Sequence, residues 1–177
     1  SLDGASYLTS AAPTSSPSAY SLELWFNTLT TTGGKLLGFG DAQTGNSGSY
    51  DKHVYLDNDG KLVFGVYNNG FDMLTSTNKV NDGQWHHVVA TQGPSGMALY
   101  VDGVLDQSNG VTGNQGYPGY WRAGGDNLDW WPDQPTTSYV TAKVDEVAVY
   151  GGALSAARVA AHYTASGNNI PDTQAPT

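Results

Sequence analysis

The stretch that decides the fold runs from Gln84 to Leu105 and reads QWHHVVATQGPSGMALYVDGVL. Residues 84–91 and 97–101 are rich in β-branched and aromatic residues, and a connection with Gly and Pro separates them. The dipeptide DG that follows is a second tight-turn signal, after which the chain turns back. The segment therefore predicts a pair of antiparallel strands and a returning third segment.

Segments of the same kind occur on both sides of this stretch, bounded by Gly, Asn or Asp. Many short strands at regular intervals predict two packed antiparallel sheets, as in a β-sandwich or jelly roll. The predicted fold class is therefore all-β. The segments are residues 20–27, 35–39, 53–56, 62–67 and 143–150.

The last predicted strand leads into the one helix that the sequence predicts. Regular alternation in residues 143–150 places Val144 on one face and Val147 on the other. Ser155 then supplies an N-cap for a short C-terminal helix that ends near Thr164.

Length and composition predict one domain with a tail. A chain of 177 residues can form one buried core, and 23 glycines with only 13% charged residues suit many short turns. Periodicity is lost near the C-terminus. We therefore assign residues 1–166 to the sandwich and residues 167–177 to a linker before a following domain.

The net charge of −9 opposes binding to nucleic acid, whose backbone is negatively charged. The chain has no Cys, which excludes disulfides and thiolate-bound metals. No apolar stretch approaches the length of a membrane span, so no membrane insertion is expected. No leader opens the sequence, so we expect another part of the parent polypeptide to direct any export.

Four phrases of the sequence carry a resemblance to a known family. They are LDGASYL from Leu2, AYSLELWF from Ala19, DGQWHHVVAT with ALYVDGVL from Asp82, and VDEVAVYGGALSAARVAAHY from Val144. In their order and spacing they resemble the bacterial laminin G-like family of concanavalin A-like domains. The resemblance implies a jelly-roll β-sandwich of two sheets with six or seven strands each, in a secreted or cell-surface protein.

The resemblance also implies a structural calcium ion at the rim of the sandwich, between a late Asp and oxygens from earlier segments. Asp145 matches the late Asp, and Asp3, Gly40 and Asp41 match the early pieces. Calcium takes carboxylate and carbonyl oxygens, which this acidic chain can supply. The alternative is that Asp145 only caps a turn at a strand start and Asp41 is a solvated loop residue.

The aromatic segment at residues 116–139, GYPGYWRAGGDNLDWWPDQPTTSY, is the predicted ligand site. Aromatic rings stack on the apolar faces of sugars, while polar side chains hydrogen-bond the hydroxyl groups. A Tyr from another loop is expected to reach the same edge. The predicted ligand contacts are Trp130, Trp131, Trp121, Tyr117, Tyr120, Asp126, Asn127, Arg122 and Tyr50.

Structural roles stay open for the tryptophans. Trp121 alternatively enters a strand and packs in the core. Trp130 and Trp131 are adjacent and cannot both be buried in the same way, so we expect at least one to be exposed. Trp25 and Trp85 lie in predicted strands and are interpreted as structural.

The sequence argues against catalysis and against a histidine metal site. Glycosidases place two carboxylates about 5 to 10 Å apart across the sugar. Glu23 and Glu146 are the nearest candidates, and neither has an acidic neighbour on its own strand face. His86 and His87 are adjacent in a strand, so their rings point to opposite faces and are interpreted as structural.

These observations favour a monomeric, non-catalytic carbohydrate-binding module that binds a polysaccharide or glycan. We expect it in a secreted multidomain bacterial protein, attached to a glycan-active enzyme. One alternative is a calcium-stabilised adhesion or spacer domain of a cell-surface protein. The other is a glycoside hydrolase whose carboxylates meet only in the tertiary structure.

Overall fold

A computed structural model describes residues 1–168, so most of the predicted linker lies outside the described residues. Within that part, short strands alternate with turns along the chain and a single helix follows. The elements are β1 (Leu2–Asp3), β2 (Leu8–Thr9), β3 (Tyr20–Asn27), β4 (Gly34–Gly40), β5 (Tyr50–Leu56), β6 (Lys61–Tyr67), β7 (Phe71–Lys79), β8 (Trp85–Gly93), β9 (Gly96–Val101), β10 (Val104–Asn109), β11 (Tyr120–Ala123), β12 (Thr141–Tyr150) and α1 (Ala156–Ala165).

The strands form two antiparallel six-stranded sheets that pack face to face. Sheet 1 has the order β1-β12-β3-β8-β9-β10, and sheet 2 has the order β2-β11-β4-β5-β6-β7. The stretch that opened the sequence analysis forms the three neighbouring strands β8, β9 and β10. The predicted all-β sandwich with one short C-terminal helix is therefore confirmed.

The core lies between the inner faces of the two sheets. Leu22, Leu24 and Phe26 of β3 are fully buried there, as their alternation predicts, and Val54 and Phe64 face them from sheet 2. Removing these apolar side chains from water is the main force that holds the sheets together.

Strand β12 departs from the regular alternation that the sequence predicts. Its register against β3 shifts between Asp145 and Ala148, and Glu146 between them has a left-handed φ of 49°. The extra residue of this β-bulge lets both Val144 and Val147 pack against the core. The predicted placement of these two valines on opposite faces was therefore wrong.

Helix α1 begins as predicted and packs on the outer face of sheet 1, which is the face turned away from sheet 2. The Ser155 hydroxyl accepts the backbone N–H of Arg158 and so caps the first turn. Val159 is buried against Val89 and Tyr100 of sheet 1. Among the described residues, none belongs to a helix with the length and apolarity needed to cross a membrane.

Candidate ligand-binding groove

The aromatic segment that the sequence singled out packs largely inward. Trp131 is only 4% exposed and lies on the outer face of sheet 2, with its ring centroid 4.2 Å from that of His53 and 5.0 Å from that of Phe71. Gly65 leaves the space for it, because a Cβ at that position would collide with the indole. Trp131 therefore fastens its loop to sheet 2.

Two further predicted ligand contacts in strand β11, Trp121 and Arg122, pack against the interior of the fold. Trp121 packs against Tyr20 and Phe39, with ring centroids 5.6 and 4.8 Å away. Arg122 is fully buried and donates to the carbonyl oxygen of Gly45 at 2.6 Å. The alternative in which Trp121 enters a strand and packs in the core is the one that the structure shows.

The polar residues of the predicted site form a hydrogen-bond network that joins loops. The Asp126 carboxylate accepts the backbone N–H and the hydroxyl of Ser47, at 3.0 and 2.8 Å. The side-chain amide of Asn127 donates to the Ser47 carbonyl oxygen. The Tyr117 hydroxyl donates to Asp51 at 2.7 Å, and burial raises the Tyr117 pKa so that the proton is retained.

Three predicted contacts reach the surface of this region to different extents. Trp130 is 85% exposed at a left-handed φ of 69°, and its backbone N–H donates to the Gln134 side chain. The Tyr50 hydroxyl donates to the Asp129 carbonyl oxygen at 2.8 Å, while Tyr120 is partly exposed. The role of these three residues in ligand binding stays a prediction.

The four residues predicted to bind calcium do not form one cluster. Asp3 pairs with Thr141, and Asp145 lies four positions further along β12, roughly 13 Å away at about 3.3 Å per residue. Gly40 and Asp41 lie at the end of β4, in the other sheet. Among the described residues, no group of three His, Cys, Asp or Glu side chains is placed to hold a metal ion.

Two of these carboxylates already serve local turns. The two oxygens of Asp41 accept the backbone N–H groups of Gly48 and Ser49, at 2.8 and 2.9 Å. Asp3 accepts the backbone N–H of Ser6 at 2.8 Å, a bond that lowers the pKa of Asp3. The donors present therefore do not fit a single calcium ion at this set of side chains, and calcium binding stays a prediction.

A groove of about 820 Å³ lies on the outer face of sheet 1, between strands β3, β8 and β12 and helix α1. Aromatic and acidic side chains dominate its lining. The aromatic and acidic residues of the lining include Glu23, Trp25, Trp85, Asp145, Glu146 and Tyr150.

The strand register brings these residues to one face. Trp25 of β3 lies opposite His87 of β8 and opposite Asp145 of β12. Asn27, two residues along β3, lies opposite Trp85. Directly opposed residues share a sheet face, and so do alternate residues of one strand. The alternation that turns the β3 leucines inward therefore turns Glu23 and Trp25 toward the groove.

Two tryptophans supply flat surfaces in the groove. Trp25 stacks on Tyr163 of α1, with centroids 5.6 Å apart and planes 12° apart, and also contacts the His87 ring. Trp85 is 46% exposed. Trp25 and Trp85 were predicted to be structural, and their position in the groove was not predicted from the sequence. Their place on the polar face of β3 and β8 was the available signal.

Glu23 is the buried carboxylate at the base of the groove. Its oxygens lie 2.8 Å from His87 Nε2 and 3.0 Å from His162 Nδ1. Burial by itself raises the pKa of Glu23, but hydrogen bonds from His87, Tyr150 and His162 outweigh burial and lower it to about 2. Glu23 is therefore an ionised hydrogen-bond acceptor at neutral pH.

Asp145 and Glu146 add exposed carboxylates beside the tryptophans. Glu146 occupies the β-bulge of β12, a distortion that redirects a side chain relative to a regular strand. Of the described residues that line the groove, none is Lys or Arg. The groove therefore offers aromatic faces together with acceptors for hydroxyl or ammonium groups.

The chain matches a family model over residues 2–160, and the family is described as the concanavalin A-like lectin/glucanases superfamily. No curated protein matches the chain by sequence.

Three solved structures are similar to this chain. The native heptameric SAP-like pentraxin of Limulus polyphemus has 18% identity and a TM-score of 0.68, covering 96% of this chain and 82% of its own. A structure of botulinum neurotoxin type C, whose cell entry is described as dependent on two ganglioside molecules, has 13% identity and a TM-score of 0.59 over 83% of this chain and 35% of its own. Trypanosoma rangeli sialidase has 18% identity and a TM-score of 0.56, over 84% of this chain and 23% of the sialidase chain. At these identities the likenesses show a shared fold.

Proposed function

Because the chain belongs to the concanavalin A-like lectin/glucanase superfamily, we propose that it is a non-catalytic glycan-binding module. The observation that carries the proposal is the groove on sheet 1, where Trp25 and Trp85 lie beside carboxylates. Indole faces stack on the apolar faces of sugar rings, and carboxylates accept hydrogen bonds from sugar hydroxyls.

The chemistry of Glu23 supports binding rather than hydrolysis. A glycosidase needs one carboxyl group with a raised pKa that donates a proton to the leaving oxygen. Glu23 has a pKa of about 2, and its carboxylate accepts hydrogen bonds from His87, Tyr150 and His162. It is therefore a poor general acid, and its hydrogen bonds point to a role in holding the groove together.

The proposed setting is extracellular, within a larger protein that carries further domains. Botulinum neurotoxin type C, part of which has the same fold, is described as interacting with gangliosides, and this supports glycans as the ligand class. A single open groove gives modest affinity, so neighbouring modules would add avidity.

Trp130 supports a second contact surface on the loops of sheet 2. The backbone of this exposed residue has a left-handed φ of 69°, a conformation that is strained for a residue with a bulky side chain. Strained residues cluster at binding sites, so Trp130 is kept as a second candidate for a sugar-stacking residue.

The test is a glycan panel with the purified domain, run once with calcium and once with chelator. We expect binding, and we expect Trp85→Ala to weaken it about tenfold because a stacking face is lost. Trp130→Ala tests the second candidate surface, since it removes the exposed indole on the loops of sheet 2. Loss of binding in Trp130→Ala with full binding in Trp85→Ala would move the site to the loops. A panel without any binding contradicts the proposed function.

A further inference from the structure

We propose that the groove selects glycans that carry protonated amines, such as oligomers of glucosamine, over neutral and anionic glycans. This inference rests on the proposed function and names the ligand class of the same groove.

The negative charge of the groove favours a cationic ligand. Three carboxylates line it, those of Glu23, Asp145 and Glu146, while among the described lining residues there is no Lys or Arg. Glu23 hydrogen-bonds to His87 and His162, whereas Asp145 and Glu146 are exposed and form no ion pair among the described residues. The local field therefore attracts cations and repels sulfate or uronate groups.

The nearest cationic side chains lie outside the groove. Lys143 is exposed and lies opposite Asn27, in the row of Trp85 and on the same sheet face, although it does not line the groove. Arg158 is exposed on helix α1, on the side of Tyr150. Both side chains are exposed, so salt screening weakens their effect on a bound ligand.

A carboxylate lies beside a tryptophan ring in the groove. Asp145 pairs directly with Trp25 across the strands, so their Cβ atoms are about 5 Å apart. An ammonium group over an indole face gains a cation–π attraction, and here it would also lie next to a carboxylate. A sugar with an amine in place of a hydroxyl meets both attractions at once.

The backbone at Glu146 has an unusual conformation that places its side chain in the groove. This residue has a left-handed φ of 49°, a conformation that non-glycine residues rarely adopt. The β-bulge that imposes it turns an acidic side chain into the groove. Backbone strain of this kind is expected where side-chain placement serves binding.

The test compares three hexamers with the same β-1,4-linked glucose backbone. Cellohexaose carries hydroxyl groups, chitohexaose carries N-acetyl groups, and the glucosamine hexamer carries free amines. Affinities are measured by calorimetry at about pH 5, where exposed carboxylates with ordinary pKa values near 4 are ionised. The neighbouring ring oxygens lower the pKa of a glucosamine amine below that of a lysine amine, so the lower pH keeps these amines mostly protonated. We expect the glucosamine hexamer to bind about tenfold more tightly than cellohexaose at low salt, and the ratio to fall toward one at about 1 M salt.

Two variants of equal net charge locate the effect. Asp145→Asn with Glu146→Gln should abolish the preference for the amine. Asp59→Asn with Asp72→Asn removes one carboxylate from the β5–β6 turn and one from β7, both away from the groove, and should keep the preference. Equal binding of the three hexamers, or a preference that survives loss of Asp145 and Glu146, overturns the inference. Binding of other panel glycans without any hexamer also overturns it, and the proposed glycan-binding function then stands.

Discussion

Trp130 and Trp131 are neighbours in the chain with opposite environments. Trp131 packs on His53 and Phe71 over the space that Gly65 leaves, whereas Trp130 is exposed. The left-handed backbone at Trp130 separates the two rings. The sequence predicted that at least one of them is exposed, and only the packing on sheet 2 decides which.

We expect Trp131→Ala to destabilise the domain by about 3 to 5 kcal/mol, because it removes a buried aromatic ring and leaves a cavity over sheet 2. Trp130→Ala should change stability by no more than about 0.5 kcal/mol, as exposed substitutions usually do. Urea unfolding of both variants measures the difference. Equal stability of the two variants would contradict the assigned environments.

At the scale of elements, helix α1 depends on sheet 1 for its position. Val159 is buried against the sheet, and His162 contacts the Glu23 carboxylate at 3.0 Å. Tyr163 stacks on Trp25 at the edge of the groove. The helix therefore forms one wall of the groove, and Glu23 is the charged anchor beneath it.

Glu23 should contribute stability that depends on pH. Its pKa is lowered from 4.5 to about 2 in the folded protein, so its contribution is fully present above about pH 4.5 and is lost as the pH falls toward about 2. We expect Glu23→Gln to destabilise the domain by about 2 kcal/mol at pH 7, because hydrogen bonds to a charged acceptor are lost.

Urea unfolding at a series of pH values checks this prediction. The difference in stability between Glu23→Gln and the parent protein should narrow as the pH falls from about 4.5 to about 2. Glu146→Gln is the control, since it alters an exposed carboxylate of the same groove. A difference that stays constant with pH would show that the carboxylate charge is not what anchors the helix.

Across the whole molecule, two outer faces have different coverings. Loops cover sheet 2 through Trp131 and the Asp126–Ser47 hydrogen bonds. Sheet 1 is covered in part by α1, and the remainder is the open groove. This difference leaves an open groove on sheet 1, where the candidate ligand site lies.

The effect of calcium on the stability of the whole domain is a further prediction. The resemblance implies a structural ion, and an ion bound only by the folded state at about 100 times its Kd adds about 2.7 kcal/mol of stability. For a domain of this size that is roughly 8 °C in Tm. The four matched residues do not form one cluster, so the expectation of a higher Tm in millimolar calcium than in chelator rests on the resemblance alone, and calorimetry measures it. The same Tm in both conditions would contradict a structural calcium ion.

The sequence by itself determined the sandwich, eight of the twelve described strands and the capped helix, whereas β1, β2 and β7 were not predicted and β11 was only an alternative. Alternation at Leu22, Leu24 and Phe26 and turn residues such as Asp102 and Gly103 are local signals that set strand faces and reversals. Such signals do not report bulges, which is why the faces of Val144 and Val147 were predicted wrongly.

Only the tertiary structure decided where the candidate ligand site lies. Whether Trp85 or Trp131 is exposed depends on which loop or helix covers each outer sheet face, and that covering comes from residues far apart in the chain. Glu23 and His162 meet only because α1 folds back onto β3. The physical reason is that burial and charge pairing are set by long-range packing, which local alternation does not encode.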